Sequence, residues 1–308
     1  RDLNGAARRR AVRTGMDRPA AGVQWDIDTF PEVPMTAAFP PFPELPEDWE
    51  PTRATLHAYS LGIGAIARAH GIAHPRWWHV SLTVRPDGLV TDPVPLPSGG
   101  AFHLRLDLRT HVAVLETSDG EVERIGLGDG LTATDFTGRL TDRLAGFGLE
   151  GPYDTARFED DDPRPYVPEH AGAFFGALVE VAAVFETHRA SLPGEVGPVQ
   201  LWPHNFDLAF EWFAPGGQRH GGGRAGAAPQ INLGFYPATP AYVYSNPWPF
   251  VAERLDPVPL PAGGEWHHGD WEGAILRYDR LQGDPEGPGK LLVFARAVYE
   301  AAAPTLTT

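Results

Sequence analysis

Ala101-Phe102-His103-Leu104-Arg105-Leu106-Asp107-Leu108 alternates apolar and polar side chains without a break. Successive side chains on an extended strand point to opposite faces. Phe102, Leu104, Leu106 and Leu108 therefore face one way, and His103, Arg105, Asp107 and Arg109 face the other. One face is core and one is wet, which points to an antiparallel sheet rather than a parallel sheet buried on both sides.

Similar runs lie on both sides. Trp77 to Val84 and Leu89 to Leu96 flank a turn at Pro86-Asp87-Gly88, while His111 to Thr117 and Glu121 to Leu127 flank one at Asp119-Gly120. These runs read as an antiparallel meander. A helix over 52–70 precedes it, with Leu56, Tyr59, Ile63 and Ile66 at helical spacing and Gly71 as its stop. Phe136, Leu140, Leu144 and Phe147 predict a second helix over 132–147.

Gly151 to Pro168 is Pro-rich and carries Glu159-Asp160-Asp161-Asp162, a charge run that reads as a solvated linker. Beyond it the spacing predicts a helix over 169–190 with Phe174, Leu178, Ala182 and Phe185 on one face. Strands near 198–202, 206–213, 230–236 and 241–245 follow, then an irregular stretch to about 272 and a closing helix over 289–303. The expected fold class is α+β, an antiparallel sheet or sheets with flanking helices. Residues 41–304 read as one globular domain, with two similar halves, 41–150 and 168–304 joined by the linker 151–167, as the alternative. Residues 1–40 read as a disordered extension, and the Gly-rich segment Gly216 to Gly226 as a mobile hairpin loop.

Composition narrows the function classes. The 308 residues are 42% hydrophobic, with 9 Trp, 16 Phe and 8 Tyr, enough to bury a core without cross-links. The chain has no Cys, so disulfides, thiolate metal sites and cysteine nucleophiles are excluded, and a cytoplasmic location is expected. The formal charge is −15, which disfavours nucleic acid and anionic membranes as partners. No run of about 18 apolar residues is found in the sequence, so no segment is expected to span a bilayer.

The most distinctive string is Trp202-Pro203-His204-Asn205-Phe206-Asp207. Read as a strand from Asn205, it places Phe206, Leu208, Phe210 and Trp212 on one face and Asn205, Asp207, Ala209 and Glu211 on the other. Pro203 cannot donate to a ladder, so a bend there re-aims His204. A convergent His204 and Asp207 would act as a general base with its orienting carboxylate, or as two ligands to a divalent metal. His268, in Trp266-His267-His268-Gly269-Asp270, is the third ligand on paper, although the spacing matches no zinc pattern. His79, after two tryptophans, reads as a pocket wall or a sheet cap. Tyr244 and Trp248, in Tyr242-Val243-Tyr244-Ser245-Asn246-Pro247-Trp248, read as walls for an organic ligand or as clamps on a loop. An aromatic corner that buries polar tips is the competing reading of the whole string.

Arg76-Trp77-Trp78-His79-Val80-Ser81-Leu82 resembles the opening of DUF5996, a bacterial family of unknown function. Thr91 to Pro95, Phe102 to Asp107, Val199 to Ala209 and Tyr242 to Pro249 carry the same resemblance over about residues 41–304. It implies no catalytic residue. The expectation is a small-organic-molecule-binding protein or enzyme with a pocket lined by Trp202, His204, Asn205, Asp207, Tyr244, Trp248 and His79. A divalent metal is left open, and no nucleotide cofactor is indicated, since no Gly-x-Gly-x-x-Gly or phosphate-loop pattern occurs. The alternative is a non-catalytic interaction domain using the aromatic and Pro-rich surface of 237–271.

Overall fold

A computed structural model of the chain describes residues 39–216 and 228–307. The expected N-terminal extension up to residue 38 and the Gly-rich loop from 217 onward lie outside the described residues, while Phe39 packs against the core.

Among the described residues thirteen strands form one antiparallel sheet. The first six are β1 (Leu82–Arg85), β2 (Gly88–Thr91), β3 (Val94–Pro95), β4 (Ala101–Asp107), β5 (Val112–Thr117) and β6 (Val122–Gly126). After the linker come β7 (Glu195–Val196), β8 (Gln200–Trp202), β9 (Asp207–Phe213), β10 (Gln230–Tyr236), β11 (Tyr242–Trp248), β12 (Glu265–His268) and β13 (Glu272–Arg277). The spatial order is β12-β13-β11-β10-β9-β8-β1-β2-β4-β5-β6. The two expected halves thus meet in a single sheet, where β1 pairs with β8 through Leu82 opposite Leu201 and Thr83 opposite Gln200.

Register carries the period-two alternation across every strand. Leu82, Leu104, Leu106, Leu115, Leu201, Leu208, Phe210, Leu233, Phe235, Val243 and Leu276 share one face and are buried in the main core. The helices α1 (Glu50–His70), α2 (Ala133–Ala145), α3 (Pro168–Ala190) and α5 (Gly287–Leu306) pack their buried residues into that core, and the single-turn α4 (Ala252–Leu255) lies near α5. Thr132 caps α2 by accepting from the Asp135 backbone N–H at 2.9 Å, satisfying one of the donors a helix start leaves open. Phe136, Leu140 and Leu144 are buried as their spacing predicts, whereas Phe147 lies beyond the helix end.

Three expectations are corrected. Trp77 to Val80 is not strand: Trp77 takes a left-handed conformation at φ 63°, a 3-10 turn spans Trp78–Val80, and β1 begins at Leu82. The stretch before 272 is not irregular, because β12 and β13 complete the sheet. In the acidic linker Glu159, Asp161 and Asp162 are exposed, while Asp160 exchanges bonds of 3.0 and 3.3 Å with Thr134 and pairs with Arg164. Finally, α3 is long and apolar enough by composition to cross a membrane. Its Phe174, Leu178, Val181 and Phe185 nevertheless lie in the protein core.

Candidate functional site

The face of the sheet opposite the core carries the polar side chains. One row across it runs Gln200, Ala209, Gly234, Tyr244 on β8, β9, β10 and β11. The two central positions are the smallest residues available, so the row is hollowed in its middle. Tyr244 fills the hollow by lying across Gly234, where any Cβ would collide with the phenol ring. A glycine inside a strand marks such close approaches. The ring thereby reaches β9, and the Tyr244 hydroxyl donates to Asp207 Oδ2.

Asp207 and Glu211 lie on this face, on either side of Ala209 along β9. Asp207 is only 4% exposed, and its second oxygen, Oδ1, has no partner among the described residues. Burial raises its pKa, against the lowering effects of the Tyr244 bond and the His204 charge. Glu211 sits beside Gly197, whose backbone N–H donates to the Glu211 carbonyl at 2.7 Å. A Cβ on Gly197 would stand 2.7 Å from Glu211 Oε2 and 3.1 Å from the Trp78 ring, so this glycine leaves room for both. Burial pushes the Glu211 carboxyl up to about 7, the Arg76 charge and the Trp78 indole N–H oppose the rise, and the Asp207 charge adds to it. The indole supports the carboxylate without completing a hydrogen bond, for Trp78 Nε1 and Glu211 Oε2 both stand unpartnered. Gln200, also 4% exposed, leaves Oε1 unpartnered.

Three buried acceptors on β8 and β9 are therefore left open on one sheet face, with the Trp78 indole N–H open beside Glu211, and Asp207 and Glu211 lie about 13 Å apart along β9. Each unmet buried polar group costs about 1–3 kcal/mol, and such groups gather where water, an ion or a ligand completes them. Aromatic rings flank Tyr244: Tyr242 lies 6.4 Å and Trp271 6.0 Å from it, centroid to centroid. Gly234→Ala would push the Tyr244 ring off Asp207, costing about 1–3 kcal/mol by overpacking. Burial and the Asp207 charge raise the Tyr244 pKa well above that of a free phenol, so the variant should gain one tyrosine that titrates normally in an alkaline absorbance titration. An unchanged titration would contradict this account of the ring.

The expected site residues separate. Trp202 is buried and opposite Asp207, and it joins the cluster with Asp207 and Tyr244. His204 and Asn205 do not: both are exposed on the turn joining β8 to β9, and no hydrogen bond links His204 to Asp207. His204 instead lines a cleft against α1 with Gly64, Arg68 and Trp77. The cause is Phe206, which at φ 58° turns the chain before β9 begins, its N–H donating to Trp202 O at 2.8 Å. Trp248 is 38% exposed at the far end of β11, about 13 Å along the strand from Tyr244. His79 is buried, accepts the His74 backbone N–H at Nδ1 (3.1 Å) and stacks on Trp77, so it pins the turn after α1.

His268 is on the core-side face, opposite Glu272, and pairs with Asp256 at 3.1 Å. The postulated metal set His204, Asp207 and His268 is thus dispersed, and among the described residues no three His, Asp or Glu side chains are grouped to hold a metal. His267 takes the cluster's face instead, with its ring 4.5 Å from that of Trp271. Sequence reasoning missed Gln200, Trp78, Gly197 and Gly234. Only the isolated glycine in Gln230-Ile231-Asn232-Leu233-Gly234-Phe235-Tyr236 was a local signal.

Residues 42–307 match a family model described as a family of unknown function, DUF5996. Comparison with curated proteins and with solved structures finds no match.

Proposed function

The chain belongs to DUF5996, a family without an assigned activity, and from that premise we propose that it binds a small organic molecule presenting a donor nitrogen, an amine or its ammonium form, to Asp207, with Gln200 and Glu211 as further acceptors along the same sheet face. The observation that carries this reading is the set of open acceptors Asp207 Oδ1, Glu211 Oε2 and Gln200 Oε1. Acceptors left open on one sheet face are complemented by a donor, and aromatic walls favour a cationic one. Glu211, with a pKa near neutrality, is the group suited to exchange a proton with a bound substrate if the ligand is turned over.

Benzylamine and its neutral analogue benzyl alcohol test the reading by titration calorimetry. Benzylamine should bind, benzyl alcohol should bind roughly tenfold or more weakly, and Asp207→Asn should remove the difference, as loss of a charge-assisted hydrogen bond implies. Tyr244→Phe should weaken binding with a smaller effect. Benzylamine binding that Asp207→Asn leaves untouched, in a variant that melts normally, would sink the proposal. The assembly reading has less support, because Trp248 is the one exposed large hydrophobic residue within 237–271, a single side chain rather than a patch.

A further inference from the structure

Leu61, Ala65 and Arg68 follow one another at four- and three-residue spacing on α1, so they share one side of the helix. They form one wall of a cleft of about 460 Å³, whose other walls are Trp77 and Val80 after α1 and Pro203 and His204 on the β8–β9 turn. A cleft of this size holds a small organic molecule. A Cβ on Gly64 would stand 3.0 Å from Pro203 Cβ, so helix and turn meet directly.

No carboxylate lines this cleft, although the chain has a formal charge of −15. Three other clefts each have two: Glu47 and Asp279, Glu150 and Asp154, and Glu159 and Asp160. Of the two arginines here, Arg157 donates to Asp154 at 2.5 Å. Arg68 is exposed, and among the described residues no carboxylate pairs with it, although it also borders the cleft of Glu150 and Asp154. Its guanidinium lies over the Trp77 ring, 4.7 Å from the centroid. Stacking engages the face of a guanidinium and leaves its N–H edge free to donate.

Trp77 is 51% exposed, stacks on His79 with centroids 5.6 Å apart, and is held at φ 63°. A bulky residue in the left-handed region is strained, and such strain gathers at functional sites. Here it keeps an indole beneath an arginine whose planar fork matches the two oxygens of a carboxylate. Leu61, Val80 and Pro203 supply the apolar wall beside that fork. We propose that this cleft binds an aromatic carboxylate, with Arg68 donating to both carboxylate oxygens and the ring lying against Leu61, Val80 and Pro203.

The probes are 2-naphthoate, its neutral analogue 2-naphthamide, and acetate, titrated calorimetrically into the full chain. The naphthoate should bind roughly tenfold or more tightly than either of the others, since one lacks the charge and the other the ring. Arg68→Lys keeps the charge and removes the fork, so it should weaken the naphthoate roughly tenfold. Trp77→Gly suits the left-handed backbone and removes the indole. It should weaken binding roughly two- to fivefold, the value of an exposed cation–π contact. Arg124→Lys, at an exposed arginine on β6, should change nothing. The proposal is overturned if the parent chain binds no 2-naphthoate at millimolar concentration, or if 2-naphthamide or acetate binds equally well. Parent-like affinity of the folded Arg68→Lys variant, or an equal loss in Arg124→Lys, would overturn it too.

Discussion

Phe206→Ala is expected to cost about 3–5 kcal/mol of stability, the usual range for emptying a large buried aromatic site. Phe206 is fully buried, stacks on His57 with centroids 5.6 Å apart, and tilts against Phe174 at 5.2 Å. Its side chain therefore ties the β8–β9 turn to α1 and α3. The backbone makes the prediction sharper. At φ 58° a residue with a Cβ is strained by about 1–2 kcal/mol, and glycine is not. Phe206→Gly loses the same side chain but relieves that strain, so it should be more stable than Phe206→Ala by about 1 kcal/mol. That order is the reverse of the usual cost of glycine in a strand or helix. Urea unfolding of the two variants decides it, and an alanine variant equal to or more stable than the glycine variant would mean that the turn is not held in the left-handed region.

Glu211→Gln should flatten the dependence of stability on pH. The folded-state carboxyl stands at about 7 against an ordinary 4.5. A raised pKa means that the folded protein holds the proton more tightly, so the stabilising contribution is whole below pH 4.5 and is lost as pH rises to about 7. The shift corresponds to at most about 3 kcal/mol. Asp207, also raised by burial, adds loss of the same sign. Glutamine keeps the shape and never ionises, so Glu211→Gln should match the parent at about pH 4 and exceed it by up to about 3 kcal/mol at about pH 8. Parallel pH profiles for parent and variant, measured by urea unfolding, would show that Glu211 ionises normally in the folded chain.

Much of the fold was legible because it rests on local periodicity. Helical spacing located α1, α2, α3 and α5 within a few residues, and alternation assigned the faces of β4 and β9. The errors have local causes as well. Trp77-Trp78-His79-Val80 has the composition of a strand, but packing of His79 and Trp77 around the end of α1 turns it into a 3-10 turn. Glu265-Trp266-His267-His268 has no apolar alternation and became an edge strand only because β13 was there to pair with it.

The string Trp202 to Asp207 marked the right region but not the right partners. By itself the sequence determined that β9 has a carboxylate face, that Tyr244 alternates with core residues on β11, and that the chain has enough apolar mass to cover one side of a sheet. Only the tertiary structure decided that Asp207 meets Tyr244 rather than His204, and that the Trp78 ring comes to Glu211 across Gly197. Side-chain direction along one strand is set by a period of two. Contact across four strands depends on register and on the missing side chain of Gly234, and those are properties of pairs of segments brought together by the core beneath them.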